Sequence, residues 1–444
     1  MHFTRLFAPA MTKPVTAALL GCGEFGRSLI AQARRLQGLR IAAAFDLDPA
    51  RVSAALAGMG VAPGEILVTD RIEEALSVPG LDMVVEATGH AEAAAGHALA
   101  AIERGIGVAM VSKEAECVIG PVLAARARAA GVAYTLVDGD QPALLIGLVS
   151  WARLLGLPIV AAGKSSEYDY VLDPATGRTR WTSEEVASPG LPGLMGLGGD
   201  VSATLARRAE ALAGLPQRTG PDYCEMALVA NATGLPPARP DFHAPLARTP
   251  ELPEIYGPRA SGGVLERTGV LDVFNCLRRT DEASFAGGVF VVVELADERT
   301  GELFHGKGIP VSRDRRRALV YNPSHLLGVE APVSVMAAGR LGHSILDEGY
   351  RPVVDLVARA ARDLPVGHVL TIEGNRHVVP GLDALLLPAA AARDEAPLPY
   401  YMAVGRRLRR PVRAGEMLRC ADLEAPGDNI LWQLRAEQDA MFMS

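Results

Sequence analysis

Residues 15–35, VTAALLGCGEFGRSLIAQARR, join an apolar run to a glycine-rich turn and then to a helical pattern. The turn, GCGEFG at residues 21–26, has the spacing GxGxxG. In such a turn the first glycine permits a tight bend, the second lets the backbone approach a pyrophosphate, and the third lets the helix pack on the strand. Backbone N–H groups at the start of the helix attract an anion. The stretch therefore predicts a dinucleotide-binding strand, turn and helix.

The same alternation continues on the C-terminal side of this turn to about residue 150. Strand-like runs (LRIAAAFD, MVVEATG, GVAMVS and AYTLVDG) alternate with alanine- and arginine-rich helical runs. Short apolar strands that alternate with helices of period 3.6 are typical of a parallel sheet covered on both faces. Residues 1–150 are therefore predicted to form a doubly wound α/β domain of the Rossmann type.

The alternation stops near Trp151, and three further regions are predicted. Residues 151–330 are interpreted as an α+β catalytic and dimerisation domain, with strands in FAGGVFVVVEL and RRALVYN. Residues 331–390 are predicted to hold a return helix, which packs on the first domain, and a linker. Residues 391–444 are predicted to form a small β-rich module.

Composition excludes several classes of protein. The chain is 49% hydrophobic with a net charge of −7, which is typical of a folded protein and leaves no basic domain for nucleic acid or an anionic membrane. No apolar run reaches the length of a membrane span, so no membrane partner is expected. The cysteines are widely spaced and form no CxxC pair, which argues against a disulfide framework or a structural zinc and favours a reducing cytoplasm. They are Cys22, Cys117, Cys224, Cys276 and Cys420.

The cofactor site is predicted to extend beyond the turn. Asp46 follows Gly26 by twenty residues and is placed to accept the ribose 2′-hydroxyl of NAD, whereas Arg51 can meet the 2′-phosphate of NADP. These two residues leave the choice of cofactor open. Thr88 and Gly89 end a strand where the nicotinamide half can lie, the alternative being a plain turn between strand and helix. The predicted cofactor-binding residues are Gly21, Gly23, Glu24, Phe25, Gly26, Asp46, Arg51, Thr88 and Gly89.

Two groups of charged residues follow later strands of the same domain. Lys113 ends a strand at the edge where open α/β sheets bind ligands, so it can orient a carbonyl or transfer a proton; the alternative is a solvated surface lysine. Asp138 and Asp140 share a loop after the next strand. They can hold a divalent metal or substrate hydroxyls, or simply form an Asp-rich turn and helix cap.

The second domain contributes further candidates. Lys164, Ser165, Ser166 and Glu167 follow the apolar run LPIVAAG, and this density of polar groups after a buried strand favours a site. The predicted role is catalysis for Lys164 and Glu167 and substrate binding for the two serines.

Cations and a histidine lie near the end of the second domain. Lys307, Arg315 and Arg317 are predicted to bind a phosphate or carboxylate, the alternative being a solvated hairpin turn. Asn322 and His325 offer an amide and an imidazole just past a strand, and both are named as catalytic candidates. A hydrogen-bonded core histidine is the alternative for His325.

These segments together resemble a known family. GCGEFG, FDLDP, VSKEAE, DGDQPA, AGKSSEYD, VANATGL and HGKGIPVSRDRRRALVYNPSHLLGVE are similar to the homoserine-dehydrogenase-like oxidoreductases that carry a C-terminal SAF-type module. The resemblance covers about residues 13–425. Within that group the chain most resembles the deoxyxylulose-5-phosphate reductoisomerase-like (DRL) enzymes.

The resemblance implies a cytoplasmic homodimer that uses NADP(H) on a small phosphorylated sugar-like substrate. The implied reaction converts 1-deoxy-D-xylulose 5-phosphate to 2-C-methyl-D-erythritol 4-phosphate in the MEP pathway of isoprenoid biosynthesis. Lys113 and Lys164 take the places of the cofactor-edge and catalytic-domain lysines. Asp138, Asp140 and Glu167 are candidate ligands for Mg²⁺ or Mn²⁺.

Two other functions stay open at this stage. The first is an NAD(P)-dependent dehydrogenase of the homoserine type, acting without skeletal rearrangement on another small hydroxy or oxo acid or sugar derivative. The second is a cofactor-bound sensor or carbohydrate-binding protein whose SAF-type module does the recognition. The clustered lysines and acids weigh against the second, because a binding protein has no need of them beside a nicotinamide.

Overall fold

The computed structural model describes residues 2–218, 220–373 and 378–443. The chain divides into two compact units, one made of residues 1–143 and 326–444 and the other of residues 144–325. Within the described ranges, no helix is both long enough and apolar enough to cross a membrane.

The first unit begins with a six-stranded parallel sheet in the order β3-β2-β1-β4-β5-β6. All six residues of β1 are buried, as expected for a strand covered on both faces. The predicted doubly wound parallel sheet is confirmed. The elements are α1 (Phe3–Leu6), α2 (Ala8–Thr12), β1 (Val15–Leu20), α3 (Glu24–Ala33), β2 (Leu39–Phe45), α4 (Pro49–Gly58), β3 (Leu67–Thr69), α5 (Ile72–Leu76), β4 (Met83–Glu86), α6 (Ala91–Glu103), β5 (Gly107–Met110), α7 (Lys113–Ala129) and β6 (Tyr134–Leu136).

Helix α8 (Gln141–Leu154) crosses the boundary and leads into a mixed sheet in the second unit. The order is β10-β9-β8-β12-β7-β13-β14, with β11 also paired to β12. Strand β12 runs parallel to β7 and β8, whereas β13 is antiparallel to β7 and β14. The elements are β7 (Ile159–Ser165), β8 (Tyr170–Asp173), β9 (Arg178–Trp181), β10 (Glu184–Ala187), α9 (Val201–Ala211), α10 (Gly220–Thr233), β11 (Leu246–Ala247), α11 (Leu252–Ile255), β12 (Val270–Arg279), β13 (Val289–Glu294), α12 (Glu298–Gly306) and β14 (Arg317–Asn322).

The chain then returns to the first unit through α13 (Ala331–Met336). Ala331, Val335 and Met336 are buried in the same hydrophobic cluster as Val15 of β1 and Leu29 of α3. This short helix lies at the start of residues 331–390, the region for which the sequence predicts a return helix. Two antiparallel strands, β15 (Val354–Ala360) and β16 (Leu382–Pro388), and a final helix, α14 (Ile430–Phe442), follow.

The C-terminal segment differs from the sequence prediction in where its strands and helix lie. Strands β15 and β16 both precede residue 391, where the β-rich module was predicted to begin, and the segment ends in a helix. Leu431, Leu434 and Arg435 are buried on one face of α14, so its periodicity is helical. The Arg435 guanidinium donates to both carboxylate oxygens of Asp355 on β15, at 2.7 and 2.8 Å, which ties the helix to the strand pair.

Helix α7 carries a buried acid. Glu116 is fully buried, and its carboxyl group accepts hydrogen bonds from the hydroxyl groups of Tyr134 and Tyr350. Burial raises the pKa of Glu116 to about 7, although the two tyrosine hydroxyls act in the opposite direction. The folded protein therefore keeps a proton on Glu116 at pH values where the unfolded chain has lost it.

Glu116→Gln is expected to flatten the pH dependence of stability. In the wild-type protein the free energy of unfolding falls from about pH 4.5 to about pH 7, by up to about 3 kcal/mol, because only the unfolded state releases this proton. Glutamine has no proton to release, so the variant should lack this fall. Urea denaturation at pH 5 and pH 8 measures the difference, with exposed Glu103→Gln as the control. Equal losses in wild type and Glu116→Gln would contradict the expectation.

Candidate functional site

The glycine-rich turn between β1 and α3 gives its three glycines different roles. Gly21 has φ +95°, and a Cβ there would lie 2.5 Å from the carbonyl oxygen of Ala87. A Cβ on Gly26 would lie 2.6 Å from the carbonyl oxygen of Gly21. A Cβ on Gly23 would meet no protein atom within 4 Å. Gly21 and Gly26 are therefore required for packing, whereas the space beside Gly23 is open to a ligand.

Helix α3 starts at this open space. Gly23 is its N-cap and makes no side-chain capping bond, so the first N–H groups have no cap from that residue. The Glu24 carboxylate is exposed and contacts Arg27, and Phe25 packs against the hydrophobic core of the sheet. Glu24 and Phe25 therefore offer a ligand their backbone amides at the helix N-terminus, an arrangement that suits a pyrophosphate.

Asp46 lies beside the same turn, just after β2. Its carboxylate accepts from the backbone N–H of Cys22 at 2.9 Å and from Nη2 of Arg51 at 2.9 Å. Burial favours the protonated acid, but the hydrogen bonds from Cys22, Asp48 and Arg51 outweigh it and lower the pKa of Asp46. An ionised acceptor therefore lies at the edge of the turn, where a ribose hydroxyl is expected.

The crevice of the sheet lies where the strand order reverses, between β1 and β4. The Thr88 hydroxyl lies 2.6 Å from Oε1 of Glu86, a fully buried residue at the end of β4. The Gly89 amide donates to the Ser112 hydroxyl at 2.8 Å. The bond between Gly89 and Ser112 joins the ends of β4 and β5 beside the crevice. The predicted contact of Thr88 and Gly89 with the nicotinamide half stays a prediction.

Lys113 and Asp140 are brought together at the same sheet edge. Lys113 is the first residue of α7, and its Nζ lies 3.4 Å from Oδ1 of Asp140. Gly139 can only be glycine, because its φ is +89° and a Cβ would lie 1.9 Å from the carbonyl oxygen of Leu327. A lysine and a carboxylate at the carboxyl ends of β5 and β6 can supply a proton and orient an oxygen.

Asp138 belongs to the same loop but makes different contacts. Its backbone N–H donates to the Ser334 hydroxyl at 2.7 Å. Burial raises the pKa of Asp138, although a side-chain hydrogen bond with Ser334 acts in the opposite direction. The negative charge of Glu330 raises this pKa further. A carboxyl group with a raised pKa at a ligand-binding edge is suited to exchanging a proton.

Lys164 occupies a closed position in the second unit. It lies on β7 with an exposed fraction of 1%, and its ammonium group contacts the carboxylates of Asp222, at 2.8 Å, and Glu225. Burial disfavours its charge, but Asp222, Glu225 and Glu167 together raise the pKa of Lys164. The structure thus gives Lys164 a charged, structural role, and its predicted contact with substrate stays a prediction.

The neighbours of Lys164 are divided between core and surface. Ser165 and Ser166 are buried, and Ser166 Oγ lies 2.9 Å from Asn275 Oδ1. Glu167 is exposed. In the ranges that the structure describes, no three or more His, Cys, Asp or Glu side chains are arranged to hold a metal ion. The assignment of Asp138, Asp140 and Glu167 as metal ligands therefore gains no support from the structure.

The predicted anion-binding cations are spread over the surface and the core. Lys307 follows α12 and is exposed, and Arg315 has φ +59° in a turn. Arg317 is buried, and its guanidinium donates to the carbonyl oxygen of Pro253 at 2.9 Å and to Asp314 at 3.1 Å. These contacts give no support to the phosphate-binding role predicted for Arg317, because its guanidinium is buried and donates to protein groups.

Asn322 and His325 lie at and just beyond the end of β14. Asn322 Oδ1 accepts from the backbone N–H of Ser324 at 3.4 Å. His325 Nδ1 is buried and has no hydrogen-bond partner in the structure. A hydrogen-bonded core histidine is expected to bind a partner through its ring nitrogens. Because Nδ1 of His325 has none, the structure does not support that alternative at this atom.

Sequence analysis missed a histidine and aspartate pair in the second unit. Nδ1 of His243 lies 2.5 Å from Oδ2 of Asp272, a fully buried residue on β12. A signal was present, because Asp272 interrupts the apolar run VLDVF, and a charge inside a buried strand needs a partner. The identity of that partner depends on the tertiary fold.

Three family models match separate parts of the chain. The NAD-binding domain of homoserine dehydrogenase matches residues 21–136, the catalytic domain of oxidoreductase DRL matches residues 219–331, and the SAF domain matches residues 357–424. The protein is a nicotinamide-dependent oxidoreductase. The predicted order of homoserine-dehydrogenase-like, DRL-type and SAF-type regions is confirmed, and with it the prediction of an enzyme.

The solved structures that the chain matches are distant in sequence. They include the WlbA dehydrogenase from Bordetella pertussis in complex with NADH and UDP-GlcNAcA (19% identity, 35% of this chain, 47% of that chain, TM-score 0.29). Another is myo-inositol dehydrogenase from Lactobacillus casei in complex with NAD(H) and myo-inositol (16% identity, 36% of this chain, 48% of that chain, TM-score 0.28). A third is the putative oxidoreductase yvaA from Bacillus subtilis (12% identity, 74% of this chain, 91% of that chain, TM-score 0.38). The chain spans about half the length of the first two. Comparison with curated proteins gave no match.

Proposed function

We propose that the protein is a DRL-type reductoisomerase that converts 1-deoxy-D-xylulose 5-phosphate to 2-C-methyl-D-erythritol 4-phosphate. The observation that carries the proposal is the match of the DRL catalytic domain to residues 219–331, in a chain whose nucleotide-binding domain precedes it. The homodimer, the cytoplasmic location, the place in isoprenoid biosynthesis and the phosphorylated sugar-like substrate belong to the same proposal.

The residues of the first unit suit the reductive half of this reaction. When bound, reduced nicotinamide supplies the hydride. The open space at Gly23 receives the pyrophosphate, and Asp46 accepts a hydrogen bond from the ribose. The Lys113 ammonium, held 3.4 Å from Asp140, stabilises the negative charge that develops on the aldehyde oxygen and donates the proton that completes the alcohol.

NADP(H) as the preferred cofactor is also part of the proposal and requires a local rearrangement. Arg51 donates to Asp46 at 2.9 Å and must turn from it to meet the 2′-phosphate. The Asp46 carboxylate repels that phosphate, so the preference for NADPH over NADH is expected to be limited by this one residue.

Asp46→Asn is therefore expected to raise the ratio of kcat/KM for NADPH to kcat/KM for NADH by about 10-fold, since one negative charge beside the 2′ position is removed. Asp48→Asn is the control, because Asp48 is exposed and caps α4, a role that asparagine retains. Steady-state kinetics with both cofactors measure the ratio. A ratio unchanged in Asp46→Asn would show that Asp46 does not face the ribose.

The second candidate is a homoserine-type dehydrogenase that acts without rearrangement. It is favoured by the match of residues 21–136 to the NAD-binding domain of homoserine dehydrogenase. The two functions differ in the carbon skeleton of the product, because only the reductoisomerase changes it.

The test compares two substrates in one assay. Purified protein is mixed with NADPH and 1-deoxy-D-xylulose 5-phosphate, or with NADP⁺ and homoserine, and the absorbance of the reduced nicotinamide is followed. The proposal predicts oxidation of NADPH with the sugar phosphate and no reaction with homoserine. Reaction with homoserine alone would support the second candidate and overturn the first.

A further inference from the structure

His243 is held by a buried carboxylate in the second unit. Its Nδ1 lies 2.5 Å from Asp272 Oδ2, and its backbone N–H donates to Asp272 Oδ1 at 3.0 Å. A carboxylate oxygen at this distance accepts a hydrogen bond from Nδ1–H, which leaves Nε2 as the basic atom. The pair therefore has the arrangement of an oriented acid–base histidine.

The backbone on both sides of His243 is strained. Phe242 has φ +50° and Ala244 has φ +47°, in the left-handed region that side chains with a Cβ rarely adopt. Asn275 Nδ2 donates to the carbonyl oxygen of Ala244 at 2.8 Å, and Phe242 is buried. Strain on both sides of one residue, held by the surrounding structure, is a feature of functional sites.

His243 lines a cavity of about 900 Å³ within the second unit. This volume lies in the range of sites for small molecules. The lining is largely polar or small and includes Asp200, Gln217, Arg218, Arg259 and Gly263. The cavity therefore suits a hydroxylated or anionic ligand better than an apolar one.

Hydrogen bonds connect the loop that carries His243 to the buried charged residues around Lys164. Asn275 Oδ1 lies 2.9 Å from Ser166 Oγ, which in turn lies 3.1 Å from Asp222 Oδ2. Strand β12 carries both Asp272 and Asn275 and pairs with β7, which carries Lys164. The buried cluster thus forms a fixed support behind the histidine.

We propose that this cavity binds a small hydroxylated or oxo ligand and that His243 is its acid–base residue. The choice of a sugar phosphate as ligand rests on the proposed function. In the proton-transfer step, the ligand O–H bond breaks and its proton moves to Nε2, leaving an alkoxide and an imidazolium. Asp272 stabilises the imidazolium by accepting a hydrogen bond from Nδ1–H. The reverse transfer protonates a ligand oxygen.

Kinetics with 1-deoxy-D-xylulose 5-phosphate provide the first test. His243→Gln and Asp272→Asn are each expected to lower kcat at least about 100-fold, with an unchanged dissociation constant for NADPH. His343→Gln, an exposed histidine of the first unit, is the control. Wild-type kcat in His243→Gln, with the fold intact by circular dichroism, would overturn the proposal.

A second measurement does not depend on turnover. In histidine labelled with ¹⁵N, the ring of His243, assigned by its loss in His243→Gln, is expected to carry its proton on Nδ1. Its Nδ1 resonance should shift in Asp272→Asn, because an amide replaces the carboxylate beside that nitrogen. Addition of 1-deoxy-D-xylulose 5-phosphate should shift its Nε2 resonance. A proton on Nε2, or an Nδ1 resonance that Asp272→Asn leaves unchanged, would overturn the acid–base role.

The two measurements separate the two proposals. If the wild-type protein fails to turn over the sugar phosphate but the His243 ring carries its proton on Nδ1 and responds to that compound, the reductoisomerase proposal fails and the site stands. If turnover occurs and the ring neither depends on Asp272 nor responds to the compound, the site fails and the proposed function stands.

Discussion

Lys164→Met is expected to lower the free energy of unfolding of the second unit by about 3–5 kcal/mol. The lysine is 1% exposed and is the ammonium partner of Asp222 and Glu225. Removing it leaves two buried carboxylates without a counter-charge, and this penalty far exceeds the value of the lost contacts. Urea denaturation followed by tryptophan emission measures the change, since Trp151 and Trp181 both lie in this unit.

Two control variants distinguish this structural role from a catalytic one. Replacing all three groups, as Lys164→Met with Asp222→Asn and Glu225→Gln, should recover most of the lost stability because no buried charge remains. Arg178→Ala breaks an ion pair whose side chains are 45% and 46% exposed, and it should cost less than about 1 kcal/mol. A Lys164→Met protein with wild-type stability but no activity would contradict the structural role and favour the catalytic one.

Gly23→Val is expected to weaken binding of NADH and NADPH at least about 100-fold while leaving the fold intact. A Cβ at this position meets no protein atom within 4 Å, and φ is −73°, so valine fits the protein. Its methyl groups instead fill the space that the pyrophosphate needs. Calorimetry gives the dissociation constants, and thermal unfolding reports the fold.

Two other glycines serve as controls for the effect of valine at Gly23. Gly58→Val, in the open space at the end of α4, should change neither property by much. Gly26→Val should destabilise the protein itself, because its Cβ would lie 2.6 Å from the carbonyl oxygen of Gly21. Unchanged cofactor affinity in Gly23→Val would mean that the pyrophosphate does not bind at this turn.

The parts of the fold that could be predicted are those encoded by local patterns. The apolar runs and helical periods up to residue 150 predict the parallel sheet, because a strand covered on both faces has an apolar run and a helix that packs on a sheet has an apolar stripe. The spacing of Gly21, Gly23 and Gly26 predicts a turn whose geometry the structure reproduces. Helix α14 was not predicted, because the alanines and prolines that precede this region resemble a linker and residues 391–444 were interpreted as a β-rich module.

The candidate site could be predicted only in part, because its remaining members meet through the tertiary fold. His243 and Asp272 are 29 residues apart and belong to a loop and a strand, so no spacing rule joins them. Lys164 was predicted to belong to a polar site after a buried strand, but its partners Asp222 and Glu225 lie on α10, about 60 residues later, and no local pattern joins them. Polar side chains in a sequence reveal that partners are needed, but only packing determines which ones.

The most direct test of the central claim follows the hydride and the carbon skeleton together. The protein is incubated with 1-deoxy-D-xylulose 5-phosphate and NADPH that carries deuterium at C4 of the nicotinamide, and the product is identified by mass spectrometry and NMR. The account predicts 2-C-methyl-D-erythritol 4-phosphate with a single deuterium on the carbon that was the aldehyde. A deuterated alcohol with the unrearranged skeleton, or no deuterated product, would contradict it.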